Sequence, residues 1–298
     1  GWTDWKKLLF RTGTHQNYQA NVSGGNDRTQ FYTSAAYTKQ NGITQQQSLE
    51  RLTGNLNVTH TWGRLKLNLS SMFSKMMQNV SGEAGGYDAP IANYILFQTP
   101  SSVAYNADGS YAAGGGFVNI NPLYQWQHKS DRNEVHRTFN TLRAEFKLVD
   151  GLTFSEKVAY DFIAGKQSVL WDRYSNDGKS AGGNFQRVLN DVQQLNTQTQ
   201  VNYVKAFGEH HLDALLGFET EDYTYMVNYL SGSNYPGDLY DISNAGTTKA
   251  SSEYVQNRLV SYLGRVNYNY ANRYYLGLSF RRDGSSRLAR SNRWGDFW

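Results

Sequence analysis

The chain has 298 residues, with 29 Lys or Arg against 25 Asp or Glu and a net charge of +4. Cysteine is absent, which excludes a disulfide scaffold and a cysteine-ligated metal but not an oxidising compartment. No apolar run approaches the roughly 18 residues of a membrane helix, and the basic residues are scattered singly, without the run or motif that nucleic acid would need.

Mean hydropathy is negative, which leaves a membrane barrel open, because a barrel wall offers lipid only every second residue. The 22 Tyr, 28 Gly and only 4 Pro suit strands with many turns and wide loops. The chain opens at Gly1 without an initiator Met and stops at Trp298 in an apparent strand start, so a piece of something longer is expected.

Residues Gly1 to Arg11 predict a short amphipathic helix, with Trp5, Leu8 and Leu9 at helical spacing and Thr3 or Asp4 as cap. Asn17–Gly24 and Phe31–Gln40 flank Gly24-Gly25-Asn26-Asp27, a hairpin signal. Leu52–Trp62 and Leu65–Ser74 form the cleanest hairpin, around Gly63-Arg64. Leu, Val and Phe alternate there with Asn, Thr, Ser and Lys. Such a polar face would be odd inside a dry core.

Residues 78–133 break the alternation, and a connection that long is either functional or misassigned. It holds one helical patch, with Asp88 as cap, Pro90 in the first turn, Ile91, Tyr94, Ile95 and Gln98 on one face, and Pro100 as the stop.

Glu134–Val149 and Leu152–Phe162 flank Asp150-Gly151, the strongest short hairpin signal in the chain. Glu156 falls on their apolar face and is a misfit that a bulge, an interfacial position or a protein neighbour would rescue. A loop at 171–185 precedes a hairpin of Arg187–Phe207 and His210–Tyr229, and another loop spans 231–252. Tyr254 to Arg287 closes the series as two long strands around Ala271-Asn272-Arg273. Val260, Tyr262, Val266, Tyr268 and Tyr270 face one way and Ser261, Arg265, Asn267 and Asn269 the other, with Leu263 the exception. Tyr clusters near that turn, where an aromatic girdle would sit if the apolar face met lipid.

Turns at 63–64, 150–151, 208–209 and 271–273 are short, and the connections between them are long. Short turns on one side and long loops on the other are expected of an outer-membrane barrel, whereas a β-sandwich has no reason to sort its loops. Other chemistry is weak. His210 and His211 point to opposite faces of a strand and lack further ligands, so no metal site is expected. Asp283-Gly284-Ser285 has no triad partner at meaningful spacing, Asn57 to Thr59 lies in a strand and needs no glycan, and Gly114-Gly115-Gly116 lacks the lysine of a phosphate loop. No catalytic residue and no cofactor are expected. Loop aromatics and their polar neighbours are the better candidates. Tyr87, Tyr105, Asp108, Tyr111, Trp126, Trp171, Tyr174 and Tyr235 could stack on sugar faces and bind hydroxyls, or could merely pack the loops.

Two ends of the chain carry a family pattern. The first is Thr3-Asp4-Trp5, Phe10-Arg11-Thr12, Gln16-Asn17-Tyr18 and Val22-Ser23-Gly24-Gly25-Asn26, then Tyr32, Tyr37 and Asn41-Gly42. The second is Leu263-Gly264-Arg265-Val266-Asn267-Tyr268, Arg273-Tyr274, Arg281-Arg282-Asp283-Gly284-Ser285-Ser286-Arg287 and Asn292-Arg293-Trp294-Gly295. In these the chain resembles the SusC/RagA-type TonB-dependent outer-membrane transporters. It departs at Leu288, where the family usually has Phe, and at Trp298, where Pro often stands.

The resemblance implies an all-β, antiparallel up-and-down transmembrane barrel. Residues 1–298 would supply about ten or eleven consecutive strands of a barrel with roughly 22, without the plug or the C-terminal strands. It further implies active import of oligosaccharides, or less often oligopeptides, across a Gram-negative outer membrane. TonB would supply energy through the plug, and a SusD-like surface lipoprotein would act as partner. Three rivals remain: a passive porin-like barrel, a soluble β-sandwich adhesin or glycan-binding module, and an outer-membrane enzyme.

Overall fold

A computed structural model describes residues 2–81, 89, 92–114 and 119–298. Its centre is one antiparallel sheet of eleven strands in strict sequence order: β1 (Thr14–Gly25), β2 (Thr29–Asn41), β3 (Ser48–Trp62), β4 (Leu65–Asn79), β5 (Lys129–Val149), β6 (Leu152–Trp171), β7 (Asn184–Phe207), β8 (His210–Ser233), β9 (Thr247–Tyr270), β10 (Tyr274–Ser285) and β11 (Trp294–Phe297). Each strand pairs with its chain neighbours, so the order is that of an up-and-down wall. The sheet is open, and among the described residues β1 and β11 pair on one side only.

Turn chemistry sets the register. Gly63, Gly151 and Gly208 occupy left-handed backbone at the tips of the three tightest hairpins, a conformation glycine adopts without the Cβ penalty. A Cβ at Gly151 would also collide with the Val204 carbonyl of the next hairpin. Ala271 and Asn272 take the same left-handed region, with φ of 52° and 54°. At the first hairpin the Asn26 side chain accepts from the backbone N–H of Arg28 and Thr29, at 2.9 and 2.8 Å. The one register shift lies beside a turn, between Lys147 and Val149, so the in-and-out alternation runs uninterrupted along the wall.

The strands outrun their expected limits at the long-loop end. β5 starts at Lys129 and β9 at Thr247, and β6 ends on Trp171, expected as a loop residue. Residues Thr247 to Ser252 are polar or small on both faces, so no alternation announces them. They are strand because β8 offers them a complete hydrogen-bonded ladder. Strands of 20 to 24 residues in β5–β9 are about twice the 9–11 that cross a bilayer at ~45° tilt. The wall therefore stands well above any membrane it spans.

The apolar core is small and lies in the loops. Helix α1 (Trp5–Leu9) is capped by Asp4, whose Oδ1 accepts from Lys7 N at 3.1 Å. Trp5 and Leu9 are buried against Ala104 and Leu123, with Tyr111 and Trp126 alongside. Leu123 sits on helix α2 (Pro122–His128), which sequence periodicity missed; Asn121 caps it and Pro122 opens it. Asn93–Phe97 is a π-helical turn that Gln98 leaves in extended backbone. Asp88, Pro90 and Ile91 of the expected helical patch lie outside the described residues, as do Tyr87, Gly115 and Gly116.

Candidate functional site

Unbroken register makes it possible to follow each face across the sheet. One face carries Leu52, Leu56, Phe73, Leu142, Phe146, Phe154, Leu216, Val266, Leu278 and Phe280, all exposed. Leu216 and Leu278 are 69% and 62% exposed. In a soluble sandwich this face would be the buried core; here nothing among the described residues covers it. A contiguous apolar face of this extent needs an apolar solvent. Toward the short turns the belt ends in rings. His210 packs among Phe207, Tyr268 and Tyr270 at centroid distances of 5.3, 5.9 and 4.9 Å, and Tyr274 stacks on Tyr270. These rings are the girdle expected at an interface.

Toward the long loops the same face turns charged, and the charges pair across strands. Lys39 meets Glu50 at 3.0 Å, Lys75 and Lys166 share Glu134 at 3.3 and 3.0 Å, and Arg258 meets Asp222 at 2.7 Å. With His136 also bonded to it at 2.9 Å, Glu134 has its carboxyl pulled down to about 2, chiefly by the His136 bond and then by the two lysines. Glu156 places a carboxylate within the apolar belt. No bulge turns it away; instead Thr199 Oγ1 donates to its Oε2 at 2.6 Å from the paired position on β7.

The opposite face holds most of the paired polar and charged side chains, with apolar residues such as Phe139, Ile163 and Val192 among them. Arg137 clasps Asp161 with Nε and Nη2 at 2.9 and 2.6 Å, and Arg143 meets Glu145 at 2.8 Å. Arg281 bridges Glu219 and Asp283 at 3.1 and 2.8 Å, while Gln198 donates to Glu219 at 2.6 Å. Asp283 is thus held in a charged network and has no nucleophile to serve. Leu263, the residue that broke the alternation, lies over the paired Gly217, where an added Cβ would strike it. A wall that is apolar on one face and hydrogen-bonded and charged on the other matches lipid outside and an aqueous lumen inside.

The long loops all gather at one end, together with the candidate aromatics. Tyr105 and Tyr111 face each other across a bridge in the β4–β5 loop, with centroids 5.3 Å apart. Tyr105 is exposed and Tyr111 leans on the small core. Asp108 makes the turn between them, and the hydroxyl and N–H of Ser110 hold its carboxyl below the usual range. Trp126 also leans on that core. Trp171 lies under the Lys129 ammonium at 5.7 Å. Tyr174 is exposed and stands 5.4 Å from the His128 ring. Tyr235 is different: at 4% exposure it is packed against Tyr240, 5.0 Å away, and a Cβ at Gly232 would strike its hydroxyl while one at Gly183 would strike the Tyr240 ring. It offers no open face to a ligand. Tyr87 lies outside the described residues.

Structure adds what sequence could not show. His128 Nδ1 donates to Asp172 Oδ2 at 2.6 Å, joining α2 to the β6–β7 loop across 44 residues. Asp172 Oδ1 accepts from the N–H of Tyr174 and Ser175 at 2.8 and 2.9 Å. The Tyr124 ring lies 4.4 Å from His128, and burial pushes the Tyr124 phenol up. A lone His and a lone Asp so far apart carry no sequence signal.

Comparison with known proteins bears on the fold first. The chain is 25% identical to the TonB-dependent receptor SusC of Bacteroides thetaiotaomicron and 28% identical to TonB-dependent receptor P3 of Formosa agariphila, over 99% of its length in both cases. Along nearly its whole length the chain is similar to TonB-dependent receptors of the SusC type. It spans 31% and 30% of the length of those two relatives. No protein-family model matches. Among solved structures, the RagAB peptide transporter superposes over 99% of this chain and 34% of its own, with a TM-score of 0.83 at 20% identity. The siderophore receptor PiuA of Acinetobacter baumannii gives a TM-score of 0.53 at 12% identity, a likeness of fold. The sheet therefore has the fold of a stretch of the RagAB transporter's β-barrel wall.

Proposed function

We propose that residues 1–298 form one barrel portion of an importer that carries oligosaccharides, or oligopeptides, across the outer membrane. TonB would supply the energy and a SusD-like surface lipoprotein would deliver cargo at the loop end. The observation that carries this reading is the one-sided wall: a polar, ion-paired inner face leading from a crown of loops to a row of tight turns. Support for uptake comes from the SusC and P3 relatives, named as TonB-dependent receptors, and from the RagAB neighbour, named as a peptide transporter. The open edges of β1 and β11 would have to meet further strands, because lipid does not tolerate unpaired backbone.

Cargo contact is proposed on the loop residues Tyr105, Asp108, Tyr111 and Tyr174 and on Trp171 at the end of β6, with Tyr124 and His128 beside Tyr174. Trp126 and Tyr235 would support the loops from beneath. The test is uptake of labelled oligosaccharide and oligopeptide pools by cells carrying the gene, with TonB intact or deleted, alongside detergent pull-down of the gene product. The proposal expects accumulation that requires TonB and a lipoprotein that co-purifies. Equal uptake without TonB would make this a passive porin and contradict it.

A further inference from the structure

Just above the apolar belt, on the outward face, β3 to β7 enclose a groove of about 730 Å³. Arg132, Lys166 and Arg187 line it, with Glu50 and Glu134 between them. Glu134 is already shared by Lys75 and Lys166. Arg187 lies 3.8 Å from Asp241 and 5.1 Å from the Phe185 ring, and its Nε–H is buried without a partner. Arg132 is exposed and has no ion pair among the described residues. Hydroxyls of Ser48, Ser130 and Ser168 complete the rim, and Met77, Leu170 and Phe185 form an apolar floor.

This donor set suits one chemistry. The guanidinium and ammonium groups fit a phosphate, while the carboxylates and hydroxyls fit sugar hydroxyls. Below Glu50 and Met77, the exposed Leu52 and Phe73 continue the same face, with Leu142 further down β5 beyond His136, Thr138 and Asn140, and these would lie along acyl chains. We propose that the groove seats the phosphorylated sugar headgroup of a glycolipid in the outer leaflet. Basic pockets at the headgroup level hold anionic lipids in this way. The proposal rests on the lipid-facing orientation of the belt and not on cargo or TonB, so transport could fail its own test without touching it.

The test uses the full gene product in detergent and in phosphatidylcholine nanodiscs. The probes are monophosphorylated lipid A, its dephosphorylated form and inorganic phosphate. Native mass spectrometry counts bound lipid, and titration gives the affinity. The expected result is binding of the phosphorylated glycolipid, about tenfold or more weakened in R132Q/K166Q and unchanged in K157Q on the lumen face. The dephosphorylated form should bind weakly, and inorganic phosphate should compete poorly. If the double variant does not assemble, Arg132→Gln alone must still weaken binding several-fold. Equal binding by wild type and variants, equal binding of the dephosphorylated lipid, or full displacement by inorganic phosphate would each overturn the proposal.

Discussion

The two faces of this wall are made from the same strands, turns and hydrogen bonds, yet they are stabilised by different solvents. On β10, Leu276, Leu278 and Phe280 alternate with Gly277, Ser279 and Arg281. The first set is exposed, whereas Arg281 is tied to Glu219, Asp283 and Ser261. A soluble protein would bury the first set and leave the second to water. Here the polar set makes the intramolecular contacts and the apolar set is left to the bilayer. Side chains add little core, so fold stability in the wall rests on the ladder of backbone pairs, on the turns and on lipid.

Neighbouring positions on one strand should therefore respond in opposite ways, and the sharpest contrast is a charge placed on each face. Leu278→Arg should cost about 2–4 kcal/mol in a bilayer, while Ser279→Arg, one residue on, should cost about 1 kcal/mol or less. Denaturant unfolding of the gene product in lipid vesicles would measure both, and similar costs would erase the difference between the faces.

Glu156 is where the contrast already breaks, being a carboxyl on the lipid side held by Thr199. Glu156→Leu should raise stability in lipid by about 1 kcal/mol. A loss instead would mean that Glu156 serves a protein neighbour.

A smaller effect is expected from the lumen pair. A double-mutant cycle of Arg137→Ala and Asp161→Ala should give a coupling of about 1 kcal/mol or less. The same cycle repeated at high salt should shrink it, since the pair faces water.

The last contrast lies along the outward face. Glu134 has a folded-state value of about 2 against an ordinary 4.5. Its contribution is fully present above about pH 4.5 and is lost as the pH falls toward about 2. Glu134→Gln should flatten stability across that window, leaving neutral pH the place where wild type exceeds the variant.

The wall was legible in the sequence because a period of two survives as long as each face meets a different solvent. Turn positions followed from Gly63, Gly151, Gly208 and Ala271-Asn272, which can enter left-handed backbone. Strand ends above the belt were not legible. There both faces meet water, as at Thr247 to Ser252, and pairing alone makes the strand. The loop crown was less legible still. Nothing local distinguishes Tyr235, buried beneath Gly183 and Gly232, from Tyr174, which is open. The His128–Asp172 link spans two loops and exists only after both have packed.

Single cysteines at positions 276 to 281 of the full gene product, with any cysteine outside this cysteine-free stretch replaced by serine, can carry nitroxide labels in lipid vesicles. Collision rates with oxygen and with a water-soluble nickel complex then read out lipid and water separately. Labels at 276, 278 and 280 should favour oxygen, and those at 277, 279 and 281 should favour nickel. A pattern without alternation, or one reversed between the two sets, would contradict a wall with lipid on one side and an aqueous lumen on the other.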